Sequence, residues 1–181
     1  MTMADTVAVM NEGIIEQMGP PTELYESPRT AFVANFLGQS NLFPAKVAET
    51  SGDDVILEDS DGRFVMPKAR VSDRVVTDPG TEVLVGVRPE KISIARLEDA
   101  APPPADGNFV DGRVTSASFL GVSTQYEVTT HGGDTINVFA QNLDVHNLVP
   151  QGEDVRLSWL PIHGFVLSGH DDINAGVEKN V

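Results

Sequence analysis

The 181-residue chain has no cysteine, which excludes disulfide scaffolding, thiol nucleophiles and thiolate metal sites. Positive charge is also scarce. Twelve lysines and arginines stand against 27 aspartates and glutamates, for a net charge of -15, and lysine occurs only at Lys46, Lys68, Lys91 and Lys179. A phosphate backbone or an anionic bilayer is repelled by such a surface on average. Aromatic residues make up 6% of the chain, too few for the stacking platforms of a single-strand binder. No apolar run approaches the roughly eighteen residues that cross a bilayer. Met1 is not followed by a basic segment and an apolar signal core, so a cytosolic location is expected.

What is present changes character along the chain. Residues 5–18 read as two short strands around Asn11-Glu12-Gly13, where Gly13 can take the positive φ of a three-residue hairpin loop with a bulge. After Gly19-Pro20-Pro21, Thr22 is a candidate cap for a short helix that Ser27-Pro28 stops. A second helix is expected over 29–38, because Phe32, Val33, Phe36 and Leu37 form one stripe and Gly38 stands at its end. From Asn41 onward the period falls to two, and strands are expected near 42–49, 55–58, 63–66, 82–88, 92–96, 107–120, 123–130, 135–139, 155–159 and 165–168. Turn clusters such as Ser51-Gly52-Asp53-Asp54 and His131-Gly132-Gly133-Asp134 separate them. Ala100-Ala101-Pro102-Pro103-Pro104-Ala105-Asp106 reads as an extended linker between two β units of comparable size. The expected fold is mainly β: tandem OB-like small barrels over 41–181, preceded by a β-hairpin and two short helices, since barrel closure hides the edges of short strands.

Two stretches carry a resemblance. Val7-Ala8-Val9-Met10-Asn11-Glu12-Gly13-Ile14-Ile15-Glu16-Gln17-Met18-Gly19-Pro20-Pro21-Thr22-Glu23-Leu24-Tyr25, continued without a gap to Gly38, resembles the end of the ATP-hydrolysing domain of ABC importers. Val85-Gly86-Val87-Arg88-Pro89-Glu90-Lys91-Ile92 resembles the signature of the transport-associated OB-type (TOBE) domain that follows it, and Gly38 to Val47 resembles that domain's opening. Phe119-Leu120-Gly121 and Leu157-Ser158-Trp159-Leu160-Pro161 suit the spermidine/putrescine-type branch. The resemblance implies that residues 1–40 are a residual C-terminal piece of an ATPase domain and 41–181 a regulatory TOBE domain. It further implies a homodimer, membrane-spanning permease subunits as partners of the intact subunit, ATP and magnesium as cofactors of the motor, and a cytoplasmic location peripheral to the membrane.

The chemistry of that motor is not in this sequence. A phosphate-cradling loop needs GxxxxGK[ST], and none of the four lysines follows a glycine in that frame. Val7 to Glu12 has the outline of a strand ending in Asp-Glu, but it carries asparagine and aligns with the later hairpin. Leu167-Ser168-Gly169-His170 ends an expected strand with no helix after it, unlike the family's Leu-Ser-Gly-Gly signature. Among His131, His146, His163 and His170 no pair has the i, i+4 or i, i+2 spacing that converges on a metal. There is no Gly-x-Ser-x-Gly elbow. Paired carboxylates such as Asp53-Asp54, Glu58-Asp59 and Asp171-Asp172 are read as solvated turn or tail residues. No catalytic, cofactor or metal-binding residue is therefore expected in this chain, and no enzymatic activity.

Four residues are candidates for an interface: Phe32, Phe36, Arg88 and Glu90. In extended backbone Arg88 and Glu90 project to one side while Pro89 withholds an amide. They are either a local ion pair at a strand end or a rigid corner that meets a partner. Burying Phe32, Val33, Phe36 and Leu37 is worth about 1.5–3 kcal/mol each, so residues 5–38 dock on the β unit, join a homodimer contact or stay mobile. The expected function is a non-catalytic regulatory and dimerising module of an importer's ATP-binding subunit, probed against a second reading as a β domain that senses a small solute or oxyanion.

Overall fold

The computed structural model describes residues 4–100, 102, 107–143 and 148–177. The linker expected at 100–106 lies largely outside them, as does His146. The chain opens with a hairpin, β1 (Val7–Asn11) and β2 (Ile14–Gly19). Its loop is two residues, Glu12 and Gly13, both at positive φ, rather than three; the expected bulge sits instead at Val9/Met10. Helix α1 (Pro21–Glu26) starts from Pro20 with Pro21 in its first turn, so proline's preset φ, and not a Thr22 cap, begins it. Helix α2 (Ala31–Phe36) is capped by Thr30, whose hydroxyl accepts from the Val33 amide at 3.3 Å.

Among the described residues ten strands follow: β3 (Asn41–Ser51), β4 (Asp54–Glu58), β5 (Arg63–Pro67), β6 (Glu82–Val87), β7 (Ser93–Arg96), β8 (Asn108–Phe119), β9 (Ser123–Thr130), β10 (Thr135–Gln141), β11 (Asp154–Trp159) and β12 (Gly164–Ser168). They form two antiparallel five-stranded sheets, ordered β12-β6-β3-β4-β5 and β10-β9-β8-β11-β7. Each sheet curls until its edges approach, β5 toward β12 and β10 toward β7, and a bridge between Val71 and Val166 helps close the first. The fold is thus mainly β, with the hairpin and two short helices ahead of OB-like barrels.

The strands do not divide at the linker. β7 precedes it yet pairs with β11, and β12, far beyond it, pairs with β6. Each run of five, β3–β7 and β8–β12, gives its last strand to the other's sheet. Alternating hydrophobicity reports which face a residue takes and not which strand it pairs with, so this exchange had no signature in the pattern. A single core spans both sheets, with Phe43, Phe64 and Trp159 in mutual aromatic contact at centroid distances of 5.5–6.4 Å.

Two asparagines lock the halves together. Asn41, first residue of β3, accepts from the Asn137 amide at 2.7 Å and donates to its carbonyl at 2.8 Å. Asn108, first residue of β8, does the same to Val65, at 2.7 and 2.9 Å. Each side chain thereby satisfies backbone groups on an edge strand of the opposite sheet.

Candidate functional site

The junction between the opening segment and the β body is built on Arg88. Strand β6 ends at Val87, Pro89 starts a 3-10 turn, and Arg88 lies between them in extended backbone. Its side chain is 2% exposed and passes under the Tyr25 ring, guanidinium carbon 4.1 Å from the centroid. One terminal nitrogen donates to the carbonyls of Ala34 (2.7 Å), Gly38 (2.8 Å) and Gln39 (3.4 Å) and to Ser40 Oγ (2.6 Å); the other donates to the Tyr25 carbonyl (3.0 Å). These carbonyls lie at or just past the ends of α1 and α2, where helices leave acceptors unfilled and favour positive charge. Burial lowers the arginine's pKa from its ordinary value, partly countered by Tyr25, Glu90 and Glu26.

Arg88 and Glu90 do not form the local ion pair with each other. Arg88 directs its donors to backbone carbonyls and is too buried to meet a partner. Glu90 instead accepts from the Tyr25 hydroxyl at 2.6 Å, and Lys91 pairs with Glu26 at 3.3 Å. Burial, then the bond to Glu90, pushes the Tyr25 pKa up to about 12. The element grips the end of α1 inside one chain.

Of the expected stripe, Phe32, Val33 and Leu37 share one cluster and Phe36 does not join it. Val33 packs with Val9 and Leu24, while Ala31 and Ala34 face Leu84, Phe165 and Leu167, so α2 docks on the β body through its small residues. Phe32 is half-buried, and Phe36 stacks on it at 5.7 Å yet is 59% exposed. The tail completes the dock. Asp171 accepts from the Ala31 amide at 2.9 Å, and Asn35 donates to the carbonyls of Ile173 and Ala175. Asp171, read from sequence as a solvated tail residue, is thus an N-terminal partner of α2. Leu167 to His170 is a strand end, with the Gly169 amide bound to the Glu82 carbonyl at 3.2 Å.

A second feature is a groove of about 510 Å³ where β3, β4 and β6 meet the β9–β10 turn. Glu58, Asp59, Glu82 and Asp134 line it with Lys46, the one cation among its described lining residues, over an apolar floor including Pro44, Ala45 and Leu84. Lys46 stands in register between Glu58 and Glu82. At one end Asp59, Asp61 and Asp134 bring oxygens within 4.8 Å of one another. Desolvation and neighbouring carboxylates raise the pKa values of Asp59 and Asp134, although the Asp61 and Gly62 amides bonded to Asp59 pull its value down. His131, at the adjacent turn, and His163 lie on separate turns, and His170 follows β12.

Residues 85–167 match the family described as the TOBE domain. Beyond them, the chain is 40% identical over 169 residues to the spermidine/putrescine import ATP-binding protein PotA of Acidothermus cellulolyticus, covering 92% of this chain and 42% of that protein. The chain matches the TOBE-bearing C-terminal part of the ATP-binding subunits of ABC importers. The PotA of Thermobifida fusca is 37% identical over 93% of this chain and 42% of its own length. The putrescine transport ATP-binding protein PotG of Escherichia coli is 38% identical over 88% and 41%. This TOBE chain therefore spans about two fifths of the curated relatives it matches. A solved structure of the cytoplasmic molybdate-binding protein ModG, with molybdate bound, superposes with a TM-score of 0.57 over 70% of this chain and 94% of that one. At 14% identity it supports the fold alone.

Asn41 and Asn108 match no catalytic, metal or interface motif in the sequence. Their signal was an internal echo, Asn41-Leu42-Phe43-Pro44-Ala45-Lys46-Val47 against Asn108-Phe109-Val110-Asp111-Gly112-Arg113-Val114, with asparagine, a base and valine in step.

Proposed function

We propose that this chain is the non-catalytic regulatory and dimerising module of the ATP-binding subunit of a polyamine importer. The Arg88 junction is the observation that supports it most. One buried guanidinium joins the ends of both helices to the β body, so a displacement of the segment resembling the end of an ATPase domain is carried into the β body. A ligand or partner that prefers one arrangement of the β body then biases the motor. In this reading the intact subunit is cytoplasmic, works with membrane-spanning permease subunits and uses ATP and magnesium in its motor domain. The test is a chimera in which this chain replaces the matching C-terminal part of the Acidothermus cellulolyticus protein. The chimera should support spermidine uptake, and its version lacking residues 41–181 should lose uptake or its regulation. Unchanged uptake and unchanged regulation after that deletion would sink the reading.

The groove favours a second reading, a sensor of small cationic solutes. A polyamine would set its ammonium groups against Glu58, Asp59, Glu82 and Asp134 and its methylenes against Pro44, Ala45 and Leu84. The same acids oppose an oxyanion. Calorimetry should give saturable heat with spermidine that E58Q/E82Q weakens, and none with molybdate or sulfate. Heat from the anions alone would reverse the assignment.

A further inference from the structure

The runs β3–β7 and β8–β12 are repeats of one plan. Each opens on a clasp asparagine, and each first strand carries a bulge at the matching step, Val47/Glu49 and Val114/Ser116. Past the bulge their outward faces compare position by position, because residues two apart on a strand share a face. In the first repeat the rows across three strands are Glu49, Ile56, Val65 and then Ser51, Asp54, Pro67. In the second they are Ser116, Glu127, Asn137 and then Ser118, Gln125, Phe139. The backbone is shared and the chemistry is not. Ile56 and Val65 are half-buried, and Glu49 is paired with Arg63 at 3.0 Å. The fold therefore does not require the hydroxyls and amides of the second repeat.

Those six residues, with Gln39 reaching in from the joint between α2 and β3, line a hollow of about 180 Å³. At Gln39, Glu127 and Asn137 the hydrogen bonds made within the protein use the backbone, which leaves the side chains open. Among the described residues the side chains of Ser116, Ser118 and Gln125 also meet no hydrogen-bond partner. The hollow thus offers donors and acceptors in close alternation beside one aromatic ring. Two rows over three strands measure about 10 Å by 7 Å, the breadth of a single sugar ring with its hydroxyls. Charge is nearly absent. Neither 114–126 nor 135–143 holds a charged residue in a chain that is 22% charged, so an anion meets no cation in the hollow and a cation meets only Glu127.

We propose that this face of β8, β9 and β10 is a binding site for a neutral polyhydroxylated ligand of the size of one hexose. Gln125, Asn137, Ser116 and Ser118 pair with its hydroxyls, and Phe139 covers an apolar ring face. A neutral ligand is also indifferent to the net charge of -15 that repels anions. Gln39 gives the site a link to the opening segment, since its carbonyl accepts from the buried Arg88 at 3.4 Å. The proposal does not rest on the readings above.

Nuclear magnetic resonance of the nitrogen-labelled 181-residue chain, titrated with glucose, galactose and mannose, tests the site. At least one hexose should shift the side-chain amide signals of Gln39, Gln125 and Asn137 saturably, with a dissociation constant in the millimolar range. Q125A and S118A should each weaken that binding about tenfold, and D54A, at the matching position of the first repeat, should leave it unchanged. Thermal melting checks that each variant is folded. No saturable shift with any of the three sugars into the hundred-millimolar range overturns the proposal. So does sugar binding that Q125A and S118A both leave intact. Larger shifts at these residues with spermidine than with any sugar would make Glu127 the partner of a cation and overturn it as well.

Discussion

After β6 the first repeat turns through Arg88-Pro89-Glu90-Lys91; after β11 the second turns through Leu160-Pro161-Ile162-His163. The backbone course is the same, a 3-10 turn opened by proline and then a strand given to the opposite sheet. The side chains diverge. Arg88 is buried under the helices, whereas Leu160 and Ile162 stand about half exposed. A similar divergence separates the outward face of β3–β5 from the polar hollow on β8–β10. Where the repeats agree, as in the two asparagine clasps, the residues hold the fold together. Where they differ, each half has taken on a surface of its own: the first grips the opening segment, and the second presents open hydroxyls and amides.

Substitution at the two turns should break the comparison most sharply. R88A leaves several buried carbonyls without their donor and should cost about 3–5 kcal/mol, while L160A should stay within about 0.5 kcal/mol; urea unfolding followed by Trp159 fluorescence measures both. Equal losses would mean that the turns, and not the guanidinium, carry the junction.

The clasps should respond alike. N41A and N108A each orphan one amide and one carbonyl on an edge strand and should each cost about 1–3 kcal/mol by the same assay. A loss confined to one would show that the two halves do not share their closure evenly.

Tyr25 has no counterpart engagement in the second repeat, and Y25F should cost about 1 kcal/mol. Because its pKa is raised to about 12, the folded state favours the neutral phenol. That contribution is complete below the ordinary value of about 10 and disappears as pH rises toward the folded value. Alkaline denaturation of Y25F should accordingly be flatter across this window than that of the wild type.

The smallest effect belongs to the β4–β5 and β9–β10 turns, which meet at the acidic cluster. Asp59 and Asp134 have raised pKa values, so the folded state binds their protons more tightly than the unfolded one. Their effect is to raise stability as pH falls from neutral through those values. D134N should remove part of that rise and stabilise the protein at pH 7 by no more than about 0.5 kcal/mol, as a thermal melt would show. A loss of stability at pH 7 would mean that the carboxylate makes a favourable contact there.

The strands were legible because period-two alternation and glycine- or aspartate-rich turns are local properties: β4, β9 and β12 fall within a residue of where the pattern puts them. The helical stripe was legible for Phe32, Val33 and Leu37, which share one cluster, but the second buried face, where Ala31 and Ala34 meet Leu84 and Phe165, was not. Packing volume across an interface is not written in a helix's own periodicity. At Gly86 a side chain would collide with the Phe165 ring, a constraint set by β12, far along the chain. Arg88 was singled out by its motif but its role was not, since the carbonyls it binds come from segments 49 to 63 residues earlier.

By itself the sequence determined the order of hairpin, helices and strands, the absence of a phosphate-cradling loop from this chain, and its kinship with importer subunits, because each rests on neighbouring residues and their spacing. Only the tertiary structure decided that the β halves exchange their last strands, that Arg88 turns inward and that Gln39 joins the polar face of the second repeat. Those outcomes depend on which distant surfaces meet, and a linear pattern of hydrophobic and polar residues carries no record of partners.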